Sequence, residues 1–261
     1  MRFLRVQPTG AGLAELYSPE YFERDFRCGR SAASASDREA FRAENQALLA
    51  SFEARIPARA TPRRLLEVGS STGWLLLEAR ERGWEPKGVE LSAEAVARSR
   101  ALGLDVFHGD LTAAALPDQS VDLIYMGDVL EHVPDCRAVI EEVARVLAPG
   151  GVLVLRGPIT THSLARSFAL SVYRGVGGTI TLREPPYHLW EFTPATLRTL
   201  LESAGLEWVS ARQSKIPPGR AHGAKSVPQQ LILFGFDCVN WPLTTLLNAR
   251  GDRIQLIARR P

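Results

Sequence analysis

Between Leu65 and Ser92 the chain reads LLEVGSSTGWLLLEARERGWEPKGVELS, and this segment constrains the fold more than any other. Leu65-Leu66-Glu67-Val68 is a short apolar run that stops at a glycine. Trp74 to Arg82 has helical spacing, and Pro86 to Leu91 reads as a second strand. Strand, tight turn, helix and second strand make one crossover unit of a parallel sheet. Gly69 and Gly73 bracket the turn. Glycine there lets backbone approach a ligand closely, and the helix that follows presents free N–H groups to it. Glu90 closes the second strand 17 residues after Gly73. A carboxylate at that place can accept from both hydroxyls of a ribose.

The alternation continues downstream. Ala93–Ala101 is a second helix, Leu104–Phe107 a third strand and Val121–Met126 a fourth. Cys136–Leu147 is the helix after it, and Gly151–Leu155 is a fifth strand opened by the Pro149-Gly150-Gly151 turn. Beyond residues 157 to 192, rich in Gly, Pro and aromatics, Thr193–Ala204 is a helix with Thr193 as N-cap and Pro194 at its first position. Leu206–Ala211 and Arg253–Ala258 complete the strands. The expected architecture is α/β: a doubly wound, mostly parallel, seven-stranded sheet with helices on both faces. Residues 1–60 read as an N-terminal helical cap or lid, with a polar loop or helix cap at Ser31–Asp37 and a helix over Glu39–Ile56. Residues 61–261 read as the main domain, with acceptor-pocket insertions at 157–192 and 213–251.

The glycine loop discriminates among nucleotide cofactors. Gly69-Ser70-Ser71-Thr72-Gly73 does not fit the dinucleotide fingerprint, and the Walker ending G-K-[ST] is absent. An acid stands before the glycines instead. Glu67, at the end of its strand, suits a cationic amino group, so an amino acid joined to a ribose through a cationic centre fits where a pyrophosphate does not.

These residues resemble the class I, Rossmann-like S-adenosylmethionine-dependent methyltransferases, in the small-molecule branch similar to the ubiquinone-type enzymes. The resemblance spans residues 64 to 212 and includes HGDL, VDLIYMGDVLEHVPD, VLAPGGVLVL and HLWEFTPATLRTLLESAGLE. It implies S-adenosylmethionine as cofactor, with Glu67 near the methionine amino group, Glu90 on the ribose and Asp110 near the adenine amino group. The cofactor-binding set so implied is Glu67, Gly69, Ser70, Ser71, Thr72, Gly73, Glu90, Leu91, Gly109, Asp110, Leu111 and Gly127. The family more often has glycine where this chain has Ser71.

Methyl transfer from a sulfonium is an in-line displacement, so alignment and water exclusion supply much of the rate. A base is needed when the acceptor is a hydroxyl or an activated carbon. No N/D-P-P-Y motif follows the fourth strand, which argues against amide or nucleobase nitrogen; Pro185-Pro186-Tyr187 comes after the fifth strand instead. A Pro-Cys nucleophile is missing, since Cys136 follows Asp135. His132 is the leading base, His188 the second and His162 the third. Asp128, Glu131 and His132 form a D-x-x-E-H pattern that would share one face of a helix. The ubiquinone-type resemblance associates that pattern with a divalent metal. Hard cations want more oxygen ligands than it offers, and no metal is expected.

The wider composition is consistent with a small-molecule acceptor. The 31 basic and 29 acidic residues leave a net charge of +2, with no reason to expect nucleic acid. The 3 cysteines show no zinc or disulfide spacing, which fits a reducing cytoplasm. No stretch reads as a signal peptide or membrane span. Gln229–Leu247 is apolar and reads first as a helix closing the core, second as a surface helix for membrane contact or homodimerisation. Tyr17, Tyr21 and Phe22 read as a lid over the cofactor or as packing of the leading helices. Two further functions stay open at this point: a cofactor-binding homologue without transfer activity, and a nicotinamide-dependent oxidoreductase.

Overall fold

The structure, a computed structural model, describes residues 2–3, 35–54, 63–159, 164, 171, 188–215, 235, 238 and 240–261. Its centre is a seven-stranded sheet. The strands are β1 (Arg63–Val68), β2 (Trp84–Glu90), β3 (Asp105–His108), β4 (Val121–Gly127), β5 (Leu147–Pro158), β6 (Glu207–Ser214) and β7 (Arg253–Arg259). They lie in the order β3-β2-β1-β4-β5-β7-β6. β7 runs antiparallel to both its neighbours, and the pairings from β3 across to β5 are parallel. The order reverses between β1 and β4. Such a switch point opens a crevice at the carboxyl ends of the strands, where α/β folds bind ligands.

The helices are α1 (Ala35–Glu53), α2 (Trp74–Glu81), α3 (Ala93–Ala101), α4 (Cys136–Val146) and α5 (Pro194–Ser203). Local chemistry starts each one that follows a loop. Ser92 caps α3, and Asp135 caps α4 by accepting from the N–H groups of Arg137 and Ala138 at 3.0 Å. Thr193 and Thr196 form a reciprocal capping box at α5, with Pro194 in its first turn. The central strands are apolar on both sides because helices cover both faces. Leu66, Ile124 and Leu153 pack with Ile140 and Val143 of α4 and Leu201 of α5. Leu65, Leu123 and Val154 face the other way, onto Leu49 and Phe52 of α1 and Leu76 of α2.

Several boundaries differ from the sequence reading. α1 begins at Ala35, so the last of the polar residues expected in a loop belong to its first turn. β5 starts at Leu147 directly out of α4, and the Pro149-Gly150 turn is absorbed as an irregularity in its pairing with β4. There Gly150 donates its N–H to Arg260 O at 2.8 Å, which holds the bulged segment to the sheet. Within the apolar stretch Gln229–Leu247, residues 240–247 are helical. This part does not close the core as first read: Trp241, Leu246 and Leu247 are exposed, while Asn240 and Thr244 are buried. The chain after it is fastened along the edge strand, where Asn248 Nδ2 donates to Ala211 O at 2.7 Å. Tyr17, Tyr21, Phe22 and His162 lie outside the described residues.

α1 is fixed to the main fold by charge as well as by packing. Gln46 Nε2 donates to Glu78 at 3.0 Å, Arg42 pairs with Glu81 at 2.5 Å, and Glu53 accepts from Arg82 and from the Trp84 indole. Phe52 is fully buried, with its ring 5.8 Å from that of Tyr125. Replacing Phe52 by alanine is expected to cost about 3–5 kcal/mol. Urea unfolding should show one transition with a lower midpoint and an unchanged slope. A second, separate transition would mean that α1 is not part of the same cooperative unit.

Candidate functional site

The site is built from the carboxyl ends of β1, β2, β4 and β5. After β1 the chain turns through Gly69 (φ +74°), Ser71 (φ +50°) and Gly73 (φ +79°), backbone conformations that L side chains resist. A Cβ at Gly69 would lie 2.4 Å from Val129 Cγ2, so the turn needs glycine for space as well. Ser71 holds a left-handed conformation because both its backbone polar groups are tied. Its N–H donates to Glu90 Oε2 at 2.8 Å, and its carbonyl accepts from Ser99 Oγ at 3.0 Å. A serine at the middle of the loop therefore keeps the turn that glycine would give.

Glu90 is buried, and its second oxygen accepts from Ser92 N–H at 2.8 Å. Burial raises its pKa, and these backbone donors oppose the rise. Glu67, also buried, is pushed well above the usual carboxylate range by burial and by the neighbouring Glu90. Among the described residues neither Glu67 Oε2 nor Ser70 Oγ has a hydrogen-bond partner. Both line a cavity of about 210 Å³ together with Ser71, Thr72, Tyr125, Gly127, Arg156 and, from α1, Glu44, Asn45 and Leu48. Leu91 is half-exposed beside Glu90, and His108 Nε2 lies 3.0 Å from Leu91 O. At the end of β3, Gly109 donates to Glu90 O at 2.9 Å, and Asp110 Oδ1 accepts from Ala113 N–H at 2.7 Å. Asp110 thus shapes its own turn. The Leu111 side chain is buried in the core, which leaves its backbone for any ligand contact.

Residues 39–211 match a family described as a methyltransferase domain. The chain belongs to this methyltransferase family. S-adenosylmethionine is its cofactor, and the residues present fit that group. An unpartnered buried carboxylate suits an ammonium, the first turn of α2, which has no side-chain cap, offers its backbone N–H groups, and the Glu90 carboxylate has lone pairs left for ribose hydroxyls. The nicotinamide alternative loses its support. The chain is similar to a probable S-adenosylmethionine-dependent methyltransferase of Mycolicibacterium smegmatis, 33% identical over 59% of this chain and 55% of that protein. The match thus spans about half the length of that relative. It is also similar to a ubiquinone biosynthesis O-methyltransferase of Paracidovorax citrulli, 29% identical over 60% of this chain and 68% of that one. The solved S-adenosylmethionine-dependent methyltransferase of Archaeoglobus fulgidus shares the fold, with a TM-score of 0.59, 17% identity and coverage of 92% of this chain and 100% of that one.

The loop after β4 forms the wall beside the cofactor cavity. Gly127 lines the cavity, and a Cβ there would lie 2.7 Å from the Tyr125 hydroxyl. Asp128, Glu131 and His132 do not share a helical face as the spacing suggested. Asp128 takes φ +57° and turns to Arg253, whose Nη2 meets both carboxylate oxygens at 2.6 Å. Leu130–His132 is a short 3-10 turn. A different partner, His188, is brought in. Leu189 N–H donates to Glu131 O at 2.7 Å and the Trp190 indole donates to Val133 O at 2.7 Å, so residues 188–190 are zipped onto the turn. The His132 and His188 rings meet edge to face, with centroids 5.0 Å apart. Glu131, His132 and His188 each offer a donor atom, all within 4.8 Å of one another, and this trio rather than Asp128-Glu131-His132 is what could hold a cation.

Sequence reasoning found His132 and His188 separately but missed Tyr125, Arg156, Arg253 and the inner face of α1. The available signal was the strand alternation itself, since Tyr125 and Arg156 are polar positions at the carboxyl ends of otherwise apolar strands.

Glu131 is buried, and burial with the nearby Asp128 charge raises its pKa from 4.5 to about 8. A raised folded pKa means the fold favours the protonated form. The stability it contributes is full below about pH 4.5 and is lost as pH rises through about 8. Glu131→Gln should remove that loss. The urea midpoint of the wild type should fall between pH 5 and pH 8, and that of the variant should fall much less. Parallel pH curves would show that Glu131 does not titrate in this window.

Proposed function

We propose that this chain transfers the methyl group of S-adenosylmethionine to a hydroxyl or an activated carbon of a small molecule, with the His132–His188 pair as proton acceptor. The observation that carries this reading is the edge-to-face meeting of those two rings at the turn that follows β4, the strand whose last residue, Gly127, lines the cofactor cavity. The acceptor's oxygen or carbon attacks the methyl carbon in line with the departing sulfur. The C–S electron pair goes to sulfur, and the acceptor's proton goes to an imidazole nitrogen. A lone histidine titrates near neutrality. A second ring and a buried carboxyl beside it fix its orientation and keep the pair ready to take a proton. Similarity to a ubiquinone biosynthesis O-methyltransferase supports a hydroxyl on a small aromatic acceptor. Asp128 and Arg253, ion-paired at the mouth of this region, add a polar rim that a hydroxylated ring can meet. The leading helix α1, whose Glu44, Asn45 and Leu48 wall the cavity, acts as a fixed cover over the cofactor.

Calorimetric titration of S-adenosylhomocysteine into the wild type and into Glu90→Ala tests the cofactor half. We expect wild-type binding and at least a tenfold loss in the variant, about 1.4 kcal/mol or more. Equal affinities would remove Glu90 from the site.

The catalytic half is tested by mass spectrometry of methylated products over a panel of catechol-like, phenolic and activated-carbon acceptors. His132→Ala and His188→Ala should each lower kcat by about 10²–10⁴ while S-adenosylhomocysteine affinity stays within about twofold. Chelator treatment should leave the rate unchanged. Loss of the rate with chelator and its return with added manganese or zinc would overturn the base assignment. Cofactor binding with no product from any acceptor would instead favour a homologue without transfer activity.

A further inference from the structure

Three neighbouring strands end with a polar residue on one face of the sheet. On β1, Glu67 lies two residues after Leu65; on β4, Tyr125 lies two after Leu123; on β5, Arg156 lies two after Val154. Glu67 is registered against Tyr125, and Tyr125 against Val154. Side chains two residues apart share a face, so Glu67, Tyr125 and Arg156 point the same way. Their apolar predecessors Leu65, Leu123 and Val154 all pack in the core under α1. The polar members line the cavity instead. The cavity therefore has a carboxyl at one side, a guanidinium at the other and a phenol between them. Tyr125 senses both charges. Burial pushes its pKa up to about 12, the Arg156 guanidinium pulls it down, and Glu67 pushes it up.

We propose that Arg156 binds the α-carboxylate of the cofactor's amino-acid end, opposite Glu67, which takes its ammonium. The proposal rests on S-adenosylmethionine being the cofactor of this site. Ammonium and carboxylate sit on one carbon of that ligand, so two opposite charges of the protein must converge on one point. β1 and β5 are two strand spacings apart, roughly 10 Å, a gap that a glutamate and a long arginine side chain close from either side. Among the described residues that line the cavity, Arg156 is the one cation. Its ion pair is weak, since Glu44 of α1 lies 3.9 Å away and its side chain is 61% exposed, and its other partner is the neutral Tyr125 hydroxyl. A ligand carboxylate in the cavity can take the guanidinium bidentately while Glu44 swings to solvent. Tyr125, held by Phe52 and by the wall at Gly127, keeps the guanidinium side of the cavity in place.

The test uses two ligands that differ in this carboxylate alone. S-adenosylhomocysteine and its decarboxylated counterpart, S-adenosyl-3-thiopropylamine, are titrated into the wild type, Arg156→Gln and Arg156→Lys. The wild type should prefer the carboxylate-bearing ligand by about tenfold or more, as befits a charge-assisted hydrogen bond. In Arg156→Gln that preference should collapse to less than about threefold, with little change for the decarboxylated ligand. Arg156→Lys should fall between, because a point charge replaces a planar fork. A wild-type preference near one overturns the proposal without any variant. So does a preference that survives in Arg156→Gln. Failure of the wild type to bind either ligand would overturn the cofactor reading itself, an outcome distinct from both.

Discussion

The Glu90 carboxylate connects the parts of the site that have to stay in register. One oxygen accepts from Ser71 N–H in the loop after β1, and the other accepts from Ser92 N–H at the start of α3. The glycine turn is thereby fixed to β2, not only to the strand it follows. Ser71 tolerates its left-handed backbone because this bond and the Ser99 hydroxyl secure both its ends. The N–H groups at the start of α2 stay where a ligand needs them because the turn cannot unwind without releasing a buried carboxylate. A buried charged group left without donors is expensive, at least 1–3 kcal/mol for an unsatisfied buried partner. The geometry of the cofactor turn thus follows from one side chain that also faces the ligand.

Two carboxyls buried side by side would be unfavourable in a site meant to hold an anion. Burial and the neighbouring Glu90 raise the proton affinity of Glu67, whose Oε2 has no donor among the described residues. A ligand that brings positive charge reverses the sign of this interaction. In the site we propose, the same pair would stabilise a sulfonium and an ammonium and disfavour a pyrophosphate. Cofactor choice is written in this electrostatic balance as much as in the glycine spacing.

The parts of this arrangement that follow from local rules were legible in the sequence. Strand and helix periods located all seven strands of the sheet, and the cap at Thr193 stands where residue type placed it. The positions of Glu67 and Glu90 at strand ends were also legible, Glu67 before the glycine turn and Glu90 at the end of β2. What escaped depends on tertiary direction. Asp128 was grouped with Glu131 and His132 by spacing alone, but its left-handed backbone sends it to Arg253, which lies 125 residues away in sequence. Leu111 followed a motif yet faces the core. β5 was read too short because Pro149-Gly150 signals a turn, while the bond from Gly150 to Arg260 makes it a bulge within a continuous strand. Tyr125 and Arg156 were passed over because each sits in an apolar run whose alternation was counted for strand, not for face.

The pairing of β4 with β5 joins the two halves of the proposed chemistry. Gly127 is registered against Arg156, and Asp128 N–H donates to Arg156 O at 2.9 Å. The Arg156 side chain lines the cavity, where we propose that it meets the amino-acid end of the cofactor. The backbone bonded to it leads within a few residues to Leu130–His132, the turn that carries the base. A displacement of β5 would therefore move the amino-acid anchor and the base together, which preserves the line from base through acceptor to methyl and sulfur. In-line displacement is sensitive to misplacement of about 1 Å. Building both contacts on one hydrogen-bonded strand pair suits that tolerance.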